Sequence, residues 1–109
     1  MMEPPVVGAV FTALSDPTRR EVVRLLAGEG SITVTELASE LPVTRQAVAK
    51  HLAVLEEAGL VTATTQGRRR RYRLNPGPLT DAMGWMADVG AEWDERLASL
   101  RSHLGGGPV

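Results

Sequence analysis

Two short stretches carry the residue types that grip and read a polyanion. The first, Thr44-Arg45-Gln46-Ala47-Val48-Ala49-Lys50-His51, opens a segment in which Val48, Leu52 and Leu55 recur at i, i+4 and i+7, with Ala58 continuing the stripe. On a helical wheel this stripe faces inward and leaves Arg45, Gln46, Ala49, Lys50, Ala53 and Glu57 outside. Arginine pairs bidentately with guanine and glutamine with adenine, and the small Ala49 permits close approach or meets a thymine methyl. The N-terminus of such a helix adds free amides and partial positive charge for phosphates. His51 offers a modest phosphate contact; its plainer reading is a half-buried histidine hydrogen-bonded near the turn.

The second stretch is Gly67-Arg68-Arg69-Arg70-Arg71-Tyr72-Arg73. Alternate residues of a strand point to opposite faces. The expectation is therefore Arg68 at a tip, with Arg69 and Arg71 as outward contacts. Arg70 shares a face with Tyr72 and packs its stem or pairs with an acid. A charged edge strand also guards against aggregation, but four consecutive arginines exceed that need.

The formal net charge of −1 hides a division along the chain. Residues 45–75 carry seven Lys and Arg against two Glu, a local balance of +5, while residues 1–44 and 76–109 each balance at −3. A basic segment between acidic flanks is the electrostatic footprint of a protein that grips a polyanion. Two rivals share that footprint in part: a winged protein-interaction module that binds no DNA, and an RNA-binding arginine hairpin.

Other chemistries find no residues. The chain has no cysteine, which removes disulfides, thiolate metal sites and thiol nucleophiles. With only His51 and His103 available, a metal site is not expected. No Ser–His–Asp arrangement or glycine-rich phosphate loop has supporting context, so neither an enzyme nor a bound cofactor is expected. No apolar run reaches the ~18–20 residues of a membrane span, and MMEPPVVGAVF lacks the basic start of a signal peptide. The expectation is a cytoplasmic protein with no membrane partner.

A chain of 109 residues holds one domain. Pro4 and Pro5 open an apolar first helix, Val6 to Leu14. Asp16 and Pro17 then mark the N-cap and first position of a second, which stops near Gly28 or Gly30. Ser31-Ile32-Thr33 supports only a brief extended piece. Thr33 and Glu36 fit a capping box for a short helix to Leu41, with Val34, Leu37, Ala38 and Leu41 inward. Pro42 ends it, and Thr44 caps the longer helix at 45–58, with Gly59 placed to close it. About three residues separate these two helices, the spacing of a helix-turn-helix. Leu60 to Leu74 changes to β-branched and alternating residues around a Gln66-Gly67 turn, a hairpin signal. The fold class is mainly α with a small β-hairpin: a winged helix-turn-helix. Its expected parts are one domain over 1–104, the helix-turn-helix at about 34–58, the wing at about 60–74, a C-terminal helix at about 78–104 and a disordered tail at 105–109.

That last helix carries Leu79, Met83, Met86, Gly90, Trp93, Leu97, Leu100 and Leu104 at alternating steps of four and three, a heptad stripe with one glycine. The stripe either completes the core of one chain or pairs with a second copy. So long an apolar helix is hard for one small domain to cover, which favours a homodimer through the terminal helices. Its expected contacts are Val7, Val10, Leu79, Met83, Met86, Trp93, Leu97 and Leu100. Symmetric reading of DNA also calls for two recognition helices about 34 Å apart. Trp85, Met86 and Trp93 are better placed as core packing than as the lining of a ligand cavity.

The strings DPTRREVVRLL, ITVTELASEL, VTRQAVAKHLAVLEEAGLV and GRRRRYRL together resemble the ArsR/SmtB family of bacterial winged-helix repressors, over roughly residues 9–75. The resemblance implies a homodimer built from the first and last helices, a recognition helix at 45–58 offering Thr44, Arg45, Gln46, Ala49 and Lys50, and a wing at 62–73. It also implies repression by occupying a promoter, with release by an inducer, so a small-molecule effector of unidentified chemistry belongs among the expected partners. Metal- and arsenic-sensing members carry Cys-x-Cys where this chain has Ala38 and Glu40. Zinc-sensing members use Asp-x-His and His-x-x-Glu in the last helix; here Gly90 follows Asp88 at that spacing, and no acid follows His103. The trailing helix with Trp93, Leu97 and Leu100 resembles that of a metal-independent branch, which lacks the metal-ligand cysteines. The overall expectation is a dimeric regulator, most simply a repressor, on a palindromic double-stranded operator.

Overall fold

The computed structural model describes residues 4–104; the tail expected to be disordered, 105–109, lies outside them. The elements are α1 (Pro5–Ala13), α2 (Pro17–Glu29), β1 (Ser31–Thr33), α3 (Val34–Glu40), α4 (Arg45–Glu57), β2 (Val61–Gln66), β3 (Arg69–Leu74) and α5 (Gly77–His103).

Local chemistry sets most boundaries. The Asp16 carboxylate accepts from the Thr18 and Arg19 amides at 2.8 and 3.1 Å, with Pro17 opening α2. Thr33 and Glu36 form the reciprocal capping box of α3, and the Thr44 hydroxyl accepts from the Ala47 amide to start α4. At the end of α4, Gly59 takes φ +78°. Its amide donates to the Glu56 carbonyl and that of Leu60 to the Leu55 carbonyl, the paired bonds of a Schellman motif.

One core joins these elements. Val48, Leu52 and Leu55 of α4 are completely buried, as are Val22 of α2, Leu37 of α3 and Leu60. Fully burying side chains of this size is worth about 1.5–3 kcal/mol each, which makes their stripe the main force seating α4.

The structure adds a strand to the expected hairpin. β1 pairs antiparallel with β3, Ile32 opposite Tyr72, so the sheet runs β1-β3-β2 with β3 central. Three residues are too few to show a period, and their partner lies some forty residues on, which is why the sequence revealed only an extended piece. The wing turn is also displaced by one residue. Gln66 pairs with Arg69, leaving Gly67-Arg68 as the two-residue loop. Gly67 supplies the positive φ, +60°, that the first position of such a loop requires.

Beyond the sheet, Asn75 ties the chain back. Its amide donates to the Leu60 carbonyl and its Nδ2 to the Gly59 carbonyl. α5 then packs its first turns on α1: Ala82 is buried, and Trp85 meets Phe11 edge-on with ring centroids 5.6 Å apart. The remainder of α5 extends away, and the molecule measures 67 × 26 × 20 Å. At ~1.5 Å per residue, the 27 residues of α5 account for about 40 Å of that length.

Candidate nucleic-acid interface

The first turns of α4 present Thr44, Arg45, Gln46, Ala49 and Lys50 to solvent. Burial of Val48, Leu52 and Leu55 on the other side holds these five residues outward. Among the described residues no ion pair engages Arg45 or Lys50, so both charges are available to a ligand. Glu56 and Glu57 stand at the opposite end of the helix.

His51 departs from this face. It is half-buried, with Nδ1 3.4 Å from Nη1 of Arg19 on α2. A guanidinium only donates, so Nδ1 is the acceptor. Arg19 in turn donates from Nε to the Ala13 carbonyl at 2.6 Å, binding α4 to the corner between α1 and α2. Beside this cluster, the Arg19 amide and then the Thr18 amide hold the Asp16 carboxyl below its ordinary range against some desolvation. The sequence offered His51 as a modest phosphate contact or, more plainly, as a half-buried histidine hydrogen-bonded near the turn; helical spacing alone did not disclose that its partner is an arginine from another helix.

The wing distributes its arginines over two faces. Arg68 sits in the exposed tip loop and Arg69 is exposed at the end of β3. Arg70 reaches Glu56 of α4, Nη2 to Oε2 3.3 Å, with its guanidinium carbon 5.7 Å from the Tyr72 ring centroid. That is the pairing with an acid that its strand face implies. Arg71, expected outward with Arg69, has a side chain only 28% exposed and lies 3.8 Å from Glu36 Oε1 of α3. The pairing of β1 with β3 brings α3 against this face and explains the difference. Glu36 is held below the usual carboxylate range, chiefly by its capping bonds with Thr33. A cleft of about 370 Å³ between the start of α3 and the wing is lined by Thr33, Thr35, Glu36 and Arg68 to Arg70. Neither Glu36 nor Glu56 was singled out from the sequence as a partner for the wing, because both contacts cross between elements.

The terminal helices divide as sharply. Met83, Met86, Trp93 and Leu100 are exposed by 65, 48, 55 and 53% respectively, and Val89 and Leu104 join them. Leu79 and Leu97 are half-buried. Val7 and Val10, expected at a dimer contact, are corrected: both are 1% exposed in the single chain and belong to its own core, leaving no surface for a partner. Trp85 is packed as expected, whereas Met86 and Trp93 are uncovered.

Among the described residues no three His, Cys, Asp or Glu side chains gather in a set able to hold a metal ion. None of the described helices is long and apolar enough to cross a membrane.

Comparison with known proteins gives a consistent result. Residues 14–63 match the helix-turn-helix domain family. The chain is 42% identical over 85 residues to the uncharacterized HTH-type transcriptional regulator YuzN of Bacillus subtilis, covering 72% of this chain and 92% of that protein. It is 35% identical over 88 residues to the transcriptional repressor SdpR of the same organism, covering 81% and 97%. Its fold is similar to that of an ArsR-like transcriptional regulator from Rhodococcus sp. RHA1, with TM-score 0.79 and 42% identity over 89% of this chain and 91% of the other.

Proposed function

Since this chain belongs to the ArsR family of winged helix-turn-helix, DNA-binding transcriptional regulators, we propose that it works as a homodimeric repressor. In this reading the first turns of α4 enter the major groove and the wing tip lies on the phosphates. Arg45, Gln46 and Ala49 address base edges, with Thr44 and Lys50 beside them at the backbone. Arg68 and Arg69 set the register through phosphates, which position the protein without specifying sequence. The observation that carries the reading is the α4 start itself. It presents five exposed groove-compatible residues, backed by a completely buried stripe and followed by the arginine hairpin.

The dimer rests on the uncovered heptad stripe of α5, whose large apolar side chains suit a second copy of the same helix better than water. Repression is supported by the similarity to a transcriptional repressor over most of both chains. Metal independence is supported by Ala38 and Glu40, which offer no thiolate where the metal-sensing pattern has two. The protein acts in the cytoplasm, where its operator is accessible.

The test is selection of bound duplexes from a random pool, with a salt titration of the selected sequence. A palindrome with half-sites about one helical turn apart is expected. If each subunit neutralises four phosphates, log K falls against log[salt] with a slope near −7, about 0.9 per phosphate. Recovery of asymmetric single sites would rule out the dimeric reading.

A further inference from the structure

The four consecutive arginines of the wing stand in two different environments. Arg70 and Arg71 are neighbours on the central strand and therefore project to its opposite faces, and each meets a carboxylate from a different helix. Arg70 bridges to Glu56 of α4 while lying over Tyr72, which is only 8% exposed. Arg71 lies against Glu36 of α3. Glu36 is not a loose partner: its Oε1 also accepts from the Thr33 amide at 3.0 Å, and Thr33 pairs with Arg71 across β1 and β3. Among the described residues no ion pair engages Arg68, Arg69 or Arg73.

We propose that Arg70 and Arg71 are positioning residues, a two-sided clamp that fixes the angle of the wing against both helices of the helix-turn-helix, leaving phosphate neutralisation to Arg68 and Arg69. β1 supports β3 only as far as Arg71; beyond it the wing is a two-stranded ribbon, which has little stability of its own, and an isolated exposed ion pair contributes little. Acting from opposite faces of one strand, however, the two pairs oppose swinging in either direction. A wing already set at its working angle spends less ordering entropy when DNA arrives. This inference rests on the reading of the wing tip as the phosphate contact.

The experiment uses the full chain with Arg69→Ala, Arg70→Ala, Arg71→Ala, Glu56→Gln and Glu36→Gln. Glutamine serves a capping box as glutamate does, so Glu36→Gln leaves α3 capped. Two quantities are read: amide hydrogen exchange of β2 and β3 in the DNA-free protein, and the salt slope of operator binding. Loss of either clamp pair is expected to speed wing exchange about two- to fivefold and to weaken operator binding by a similar factor per wing. The slope should not change. Arg69→Ala leaves exchange as it was and reduces the slope by ~0.9 per subunit.

The clamp is overturned if Arg70→Ala or Arg71→Ala lowers the slope as Arg69→Ala does. It is also overturned if Glu56→Gln or Glu36→Gln tightens DNA binding, since that would mean the carboxylates had been holding phosphate ligands back. An unchanged slope in Arg69→Ala would sink the phosphate role of the wing tip, while the exchange rates judge the clamp by themselves.

Discussion

Helices α4 and α5 carry the same kind of signal and meet opposite fates. Each has apolar residues at helical spacing along one face. In α4 that face is completely buried against the rest of the chain, whereas from Met83 onward most of the α5 stripe stands in solvent. Periodicity thus identifies a face that needs covering but not what covers it. In α4 the cover comes from α2, α3 and the sheet. In α5, α1 covers the first turns, and among the described residues the large apolar side chains farther along, Trp93 and Leu100 for example, stay exposed. The contrast separates the apolar surface that holds the single chain together from the apolar surface it leaves exposed.

The difference between the two helices is attacked most directly at Trp93. Replacing it with Asp is expected to leave a folded monomer that has lost operator affinity by roughly a hundredfold to ten-thousandfold, the loss of a tethered second site. Sedimentation alongside a DNA titration checks this, and a Trp93→Asp protein that still sediments as the wild type would mean the stripe is not the contact. The corresponding change on the buried side, Leu52→Ala, is expected to lower folding stability by about 2–5 kcal/mol through the cavity it leaves. Denaturant melts of that variant should show a loss that does not depend on protein concentration. Dissociation of a dimer, by comparison, makes the melting temperature rise with concentration.

Smaller effects are expected on the exposed side of α4. Gln46→Ala should lose about 1–3 kcal/mol of discrimination at one base position in each half-site while leaving binding to random duplexes nearly unchanged. A selection experiment returning the same consensus from both proteins would remove Gln46 from base reading.

The smallest effect concerns acid. Asp16 and Glu36 both have lowered carboxyl pKa values in the folded chain, so each contributes stability that is present above its unfolded pKa and lost as pH falls through the folded value. Melting temperature should be level above about pH 5 and decline below it. Asp16→Asn, which keeps a capping oxygen but cannot titrate there, should make that decline shallower. An identical acid limb would exclude the cap as a source of it.

Distance along the chain decided which features the sequence disclosed. Asp16, Thr33 with Glu36, Thr44 and Gly59 each act within a turn of themselves, so their residue types alone marked the helix ends. The inward stripe of α4 and the alternation about Tyr72 were legible because period and burial agree there. Contacts that span elements were not. Nothing local connects Ile32 with Tyr72, His51 with Arg19, or Arg71 with Glu36, and each of these altered the reading of a candidate site residue or of the sheet. Val7 and Val10 mark the limit from another side. Their apolar character was evident, but whether it served the protomer or a partner depended on the docking of α1 onto the first half of α5.

Asn75, bonded back to Gly59 and Leu60, closes the hairpin into a detour that leaves and rejoins the main body at the same place. The length of that detour can change without displacing the last helix. Residues added at the Gly67-Arg68 tip would lengthen the wing while α5 keeps its seat, so the reach of the hairpin and the placement of the last helix are free to vary independently.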